Sequence, residues 1–371
     1  MRYDSPWAKA IIVMIALAAF LLPSTEMTDE ARSAYERAAY EELLAAGASA
    51  SAAPSPTPDA QSASGTSDAA QNLRSISPTM ALPTFAPTPT PAPTAQYTLS
   101  MDTYDGGYAP LASGYYEADI ALSDGSTTSA QCYQDPTIEA SYYTRRLHDS
   151  TCHFVRVKVK HASQLRTALA KDVSGSATCH TSDMAVKKNA LVAISGEYYT
   201  KREGSVFVVK QSQVIKSRPS RELHQLIIDT SGDFYITTNR SDSTDMVAAL
   251  NRRIYQAFSF GPELVRDGSA VDCLDYAFDA DSPNPRTAIG QIGHLEYLLC
   301  VVNGRTDDDA GVTMPELAEI MAGEGCDSAY NLDGGGTSTL YWNGEVVNDM
   351  NDSGKERSIS DCVYFTSALP N

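Results

Sequence analysis

Asn331-Leu332-Asp333-Gly334-Gly335-Gly336-Thr337-Ser338 sets one carboxylate, three glycines and two hydroxyls in succession between two β-prone runs. Glycines let the backbone approach a ligand and turn N–H groups toward an anion, with Asp333 held at the rim. The plain structural alternative is a glycine-rich β-turn. Asn303-Gly304-Arg305 directly follows the apolar run 296–302, so a guanidinium stands where a buried strand reaches the surface. Asp307, Asp308 and Asp309 continue that loop and read either as a solvated acidic stretch or as ligands for Ca²⁺ or Mg²⁺, which need several converging oxygens. Pro285-Arg286-Thr287 supplies a second arginine beside a hydroxyl, and Ser195-Gly196-Glu197-Tyr198-Tyr199 a second carboxylate with two aromatic rings. Carboxylates from different strands, rings for sugar faces and arginines for a charged group make up a glycan-processing constellation.

Other chemistries lack their residues. There is no G-x-S-x-G elbow, H-E-x-x-H pair or phosphate-binding P-loop, and the six histidines lie outside the glycine-rich segments, as surface or capping residues. A formal net charge of −18 leaves no basic face for a polyanion, which excludes nucleic acid as a partner. The seven cysteines show no C-x-x-C pair and no zinc-finger spacing. In an exported chain they allow up to three disulfides, with Cys300, inside an apolar run, as the odd buried thiol.

The elements that must hold these groups alternate in type. β-Branched runs at 153–159, 191–194, 206–209, 226–228 and 234–238 read as strands, with a turn at 230–233. Residues 296–302 and 328–332 read as further strands, and Asn343-Gly344 as the turn of a hairpin. Helices are expected at 163–170, 182–189 and 243–256. Another starts at the Thr313-Met314-Pro315-Glu316 capping box. The intermixing favours an α+β class: a single globular domain over 97–371, with mixed β-sheets and flanking helices.

Ahead of that domain, Arg2 and Lys9 precede the apolar run 11–22, the charge order of a signal sequence with a poor cleavage site. Residues 1–27 therefore read as an uncleaved membrane anchor with the bulk of the chain outside the cell membrane, secreted if the segment is cut. A juxtamembrane helix is expected over 28–47. Residues 48–96 hold nine of the nineteen prolines among Ala, Ser and Thr, and read as a disordered linker.

In chain order, the segments 164–170, 190–199, 260–268, 285–290, 303–305, the Thr313 helix and 331–338 resemble the phosphodiester glycosidase family, over about 133–361. The resemblance implies hydrolysis of a sugar C1–O–phosphate bond, with a carbohydrate phosphodiester from envelope or exopolysaccharide material as substrate. Carried onto this chain, it implies Asp333 as base or nucleophile, Glu197 as its partner, and Arg286 and Arg305 gripping phosphate oxygens. Thr287, Asn303, Gly334, Gly335, Gly336, Thr337, Arg357 and Tyr198 are implied in substrate binding. The chain departs from the family pattern at Ser195-Gly196-Glu197, at Asn303 where Asp is usual, and at Thr337 where Ser is usual. The loss of a carboxylate at Asn303 gives the alternative expectation: a catalytically weakened glycan-binding or polysaccharide-assembly protein of the same fold.

Overall fold

The computed structural model describes residues 96–171, 177–199, 206–219, 223–274, 279–350 and 354–370. The expected anchor, the juxtamembrane helix and all but the last residue of the linker lie outside the described residues. No helix among the described residues is long and apolar enough to cross a membrane.

Among the described residues, three sheets carry the fold. The largest has nine strands, built on an N-terminal meander of β1 (Tyr115–Ala121), β2 (Thr127–Gln134), β3 (Ile138–Leu147) and β4 (Ser150–Val159). It continues through β15 (Glu296–Val302), β14 (Arg286–Gly293), β16 (Ser328–Leu332), β12 (Glu263–Arg266) and β13 (Ser269–Ala270) in that spatial order. The second sheet orders β10 (Phe234–Thr237), β9 (Gln225–Asp229), β11 (Ile254–Ser259), β7 (Phe207–Lys210) and β8 (Gln213–Ser217). In the third, β18 (Glu345–Val346), β17 (Leu340–Trp342), β6 (Val192–Ser195), β19 (Asp361–Phe365) and β5 (Leu165–Leu169) lie side by side. The class is α+β and sheet-rich, with three short α-helices among the described residues: α1 (Thr181–Lys187), α2 (Arg240–Leu250) and α3 (Met314–Gly323). Every registered strand pairing is antiparallel, so no mixture of parallel and antiparallel pairs is present among the described strands.

Alternation explains why the central strands are apolar throughout. On β15, Tyr297, Leu299 and Val301 enter the core shared by the three sheets, while Leu298, Cys300 and Val302 face the opposite side. There they meet Leu317, Ala318, Ile320 and Met321 of α3. A strand covered on both faces needs no polar alternate. The capping box at α3 is formed as its sequence predicts: Glu316 N–H donates to Thr313 Oγ1, and Thr313 N–H donates to Glu316 Oε2 at 2.8 Å.

Two expected helices give way to tertiary pairing. Residues 163–170 form a short 3₁₀ turn capped by His161, then strand β5, because Leu165 and Ala168 must enter different cores while the backbone pairs with β19. The helix expected over 243–256 starts earlier, where Asn239 Oδ1 accepts from Asp242 N–H, and stops at Leu250. Asn251 there turns to φ +51°, and Ile254 opens β11. The expected disulfides are not formed. All seven cysteines are free thiols. The registers show why for the strand cysteines: Cys152 stands opposite Val302, Cys300 opposite Phe154, and Cys362 opposite Ala168 and Ser195, so no two face each other.

Candidate functional site

β15, β14 and β16 are neighbours in the nine-stranded sheet, and being antiparallel they bring the start of β14 to the ends of the other two. Arg286 is the first residue of β14 and pairs with Val302, the last of β15. Thr287 pairs with Leu332, the last of β16. Arg305 therefore leaves β15, and Asp333 leaves β16, on either side of Arg286. The other sheets supply the facing wall: Tyr198 follows β6, Phe260 follows β11, and Arg357 precedes β19. Together they line a cleft of about 450 Å³, ample for a sugar phosphate.

One end of this cleft is cationic. Arg286 is only 8% exposed. Its Nε donates to the Val312 carbonyl at 3.0 Å, and its Nη2 to the Asp279 and Ser282 carbonyls at 2.8 Å each. Burial pushes this guanidinium down to about 10, and the neighbouring charge of Arg305 acts in the same direction, while Asp279 opposes both. It is still protonated at neutral pH, but its charge is poorly compensated. Such a site gains from an anionic ligand. Arg305 takes a left-handed backbone, φ +61°, to turn its side chain over the glycine loop. A Cβ added at Gly335 would lie 3.5 Å from its Nη1 and Nη2, and one added at Gly336 would lie 3.2 Å from Nη1 of Arg357. The glycine turn thus lies between two guanidinium groups, and Gly335 has φ +62°, a conformation that residues with side chains rarely adopt.

The turn itself is pinned. Gly335 N–H donates to the Pro285 carbonyl at 2.7 Å, so this amide is not offered to a ligand as expected. The amides of Gly334 and Gly336 make no hydrogen bond among the described residues. Thr337 Oγ1 donates to the Gly334 carbonyl at 2.7 Å and closes the loop. Asp333, 6% exposed, stands at the head of the turn. Its N–H donates to the Gly196 carbonyl at 2.9 Å, and Ser195 Oγ donates to its carbonyl at 3.0 Å. Away from the arginines the wall is apolar: Tyr198 and Phe260 meet edge-on with centroids 5.5 Å apart, beside Leu223, Pro262 and Met314.

Of the residues singled out in the sequence, Asp333, Arg286, Arg305, Arg357, Tyr198 and the three glycines line the cleft. Glu197, Thr287, Asn303 and Thr337 do not. Glu197 is fully buried behind it, its Oε1 2.9 Å from Lys210 Nζ and its Oε2 accepting Ser259 N–H at 3.0 Å. Thr287 is buried against Ser195, with 3.1 Å between the hydroxyl oxygens. Asn303 Nδ2 donates to Asp309 at 3.1 Å and Asp349 at 3.2 Å, and its Oδ1 accepts Asp349 N–H. An amide at this position therefore ties two loops together, and the Asp-to-Asn departure removes no carboxylate from the cleft wall.

Asp309 is not poised for a cation. Its oxygens accept from Arg146, Thr151 N–H and Asn303. Asp307 and Asp308 are exposed. Among the described residues no three His, Cys, Asp or Glu side chains converge to hold a metal ion. Sequence reasoning missed Asp279 and Asn284 on the cleft, and Lys210 and Asp361 behind it. Lys210 carried one faint signal, a charge closing the otherwise apolar run of β7.

Comparison with known proteins agrees with this architecture. A family model described as phosphodiester glycosidase matches residues 188–366. A prophage-derived uncharacterized protein of Bacillus subtilis, YomE, is 25% identical over 252 residues, covering 65% of this chain and 38% of its own length. Mouse N-acetylglucosamine-1-phosphodiester alpha-N-acetylglucosaminidase is 24% identical over 221 residues, covering 54% of this chain and 41% of its own. The chain thus spans about two fifths of the length of these curated relatives. In fold, the catalytic domain of the zebrafish enzyme of that name superposes with a TM-score of 0.50 at 17% identity, over 68% of this chain and 82% of the solved one.

Proposed function

We propose that this chain, in which residues 188–366 carry a domain of the phosphodiester glycosidase family, hydrolyses the sugar C1–O–phosphate bond of glycosyl-1-phosphodiesters. We place its substrate in extracytoplasmic envelope or exopolysaccharide material, with the apolar run 11–22 as membrane tether. The observation that carries the reading is the convergence of Arg286, Arg305 and Arg357 around Gly334–Gly336, with Asp333 at the head of the same turn.

The chemistry follows from the leaving group. Water adds to the anomeric carbon, the C1–O bond breaks, and the electron pair departs on a phosphomonoester whose second pKa is about 6. So stable an anion needs no proton from a general acid, and the absence of Glu197 from the cleft wall costs this mechanism nothing. What it needs is positive charge that follows the developing negative charge. Forked guanidinium donors and the Gly334 and Gly336 amides supply it. Asp333 serves the anomeric carbon, as base toward water or as nucleophile, and the configuration of the released sugar separates the two. The Tyr198–Phe260 wall packs the sugar face.

The test is incubation of the full chain with a sugar-1-phosphodiester between pH 4 and 8. Equimolar release of reducing sugar and phosphomonoester supports the reading. Absence of release across that range overturns it, and binding without release identifies a glycan-binding protein instead.

A further inference from the structure

Behind the cleft lie three ionisable side chains that the proposed chemistry does not use. Lys210, Glu197 and Asp361 are all fully buried, and they come from the second sheet, the β6 loop and the third sheet. Lys210 Nζ stands 2.9 Å from Glu197 Oε1 and 2.9 Å from Asp361 Oδ2, the latter an ion-pair contact outside hydrogen-bonding angles. It also lies 3.3 Å from the centroid of the Phe258 ring. One ammonium facing two carboxylates in a dry interior is costly to build, and packing alone does not call for it.

Asp361 shows where the arrangement leads. Its Oδ1 accepts Glu197 N–H at 2.7 Å, and its backbone carbonyl accepts Gly196 N–H at 3.1 Å. The Gly196 carbonyl, in the same peptide unit as the Glu197 N–H, accepts Asp333 N–H at 2.9 Å. A peptide unit is planar, with N–H and C=O pointing opposite ways. Tilting this one to break the bond to Asp361 breaks the bond to Asp333 as well. The space is fitted to the link, since a Cβ at Gly196 would run into Asp361 Oδ1.

We infer that Lys210 is a positioning residue for the cleft carboxylate: its charge fixes Asp361, which fixes the Gly196–Glu197 peptide, which holds Asp333 in register with the arginines. The inference rests on the reading of Asp333 as the catalytic carboxylate. The ionisable groups packed around Asp361 are Glu197, Lys210, Tyr104 and Cys362. Burial, with Glu197 adding to it and Lys210 opposing, raises Asp361 to about 6. Below that pH its protonation weakens the grip on the Glu197 amide, so turnover falls while the arginine end is untouched.

The experiment compares Lys210→Met, Asp361→Asn and Asp333→Asn with the wild-type full chain, using a sugar-1-phosphodiester for turnover and inorganic phosphate as inhibitor. Displacing a reacting group by about 1 Å costs on the order of a hundredfold. Lys210→Met is therefore expected to lose at least about tenfold in kcat, with KM and phosphate inhibition within about threefold of wild type. Asp361→Asn keeps the oxygen that accepts the Glu197 amide but cannot titrate. It is expected to be slow at every pH and to lack the fall in kcat near pH 6. A folded Lys210→Met with wild-type kcat overturns the inference, as does a parallel loss of kcat and phosphate affinity. Should Lys210→Met fail to fold, Asp361→Asn decides: an unchanged fall near pH 6 overturns the inference. An active Asp333→Asn overturns instead the reading on which it rests.

Discussion

Arg305 gives two hydrogen bonds, from Nε at 3.1 Å and from Nη2 at 2.6 Å, to the single Oδ1 of Asn284. Asn284 is itself buried, held by its backbone pairing with Val312 and by donation from Nδ2 to the Ser282 carbonyl. An otherwise exposed guanidinium is thus oriented by a neutral acceptor that leaves its charge for a ligand. Bonds to charged donors are worth about 1.5–3 kcal/mol, less where water competes. Asn284→Ala is expected to raise KM about tenfold with a smaller effect on kcat. Asn284→Asp, which neutralises Arg305, is expected to abolish inhibition by inorganic phosphate, read by steady-state kinetics.

Arg286 presents a different case, because three carbonyls already fix its planar fork. Lysine keeps the charge but cannot span those acceptors. Arg286→Lys is expected to lower kcat/KM by about 10²–10³, the usual cost of one lost donor to a developing anion. Circular dichroism should show the fold retained.

Gly334 has no room for a side chain. A Cβ there would stand 2.8 Å from the Pro285 carbonyl oxygen and 3.2 Å from Arg286 Cα. Gly334→Ala should therefore cost about 1–3 kcal/mol of stability and displace the turn from between its arginines. Gly293→Ala, where no atom lies within 4 Å, is the neutral control. Thermal melts and phosphate inhibition read both.

Strands were legible where apolar runs were bounded by turns, as at β15, β16 and the Asn343–Gly344 hairpin. The α3 start was legible too, because a capping box is local. Residues 165–169 were not: their helical spacing is overruled by burial on two faces, which only the finished sheets impose. At the site, arginines and glycines near strand ends were readable as anion chemistry. The division of labour between Glu197 and Asp333 was not, since nothing in Ser195-Gly196-Glu197 tells which way the side chain turns. Lys210 and Asp361, 151 positions apart, meet only through sheet packing.

The thiols give a further expectation. All seven are free, and only Cys179 is more than marginally accessible. Unfolded without reductant, the protein should present seven titratable thiols, and in the native state Cys179 alone should react promptly with a maleimide. Fewer than seven in the unfolded chain would reveal a disulfide.

His224 makes stability depend on pH. Its Nδ1 accepts Glu263 N–H at 3.0 Å. Burial, assisted by Arg266, lowers it to about 4 from an ordinary 6.5. Between those values the unfolded chain binds the proton and the folded one does not, so acid favours unfolding. Between pH 6.5 and 4 the wild-type urea midpoint should fall relative to that of His224→Gln. Asp361 acts in the opposite sense in both proteins and cancels from the difference.

The cleft draws Arg286, Arg305 and Asp333 from the nine-stranded sheet, Phe260 from the second sheet, and Tyr198 and Arg357 from the third. No fragment containing one sheet can retain a partial catalyst. During renaturation, turnover should return only with the last sheet to dock, which makes enzymatic recovery a stopwatch for the final step of folding.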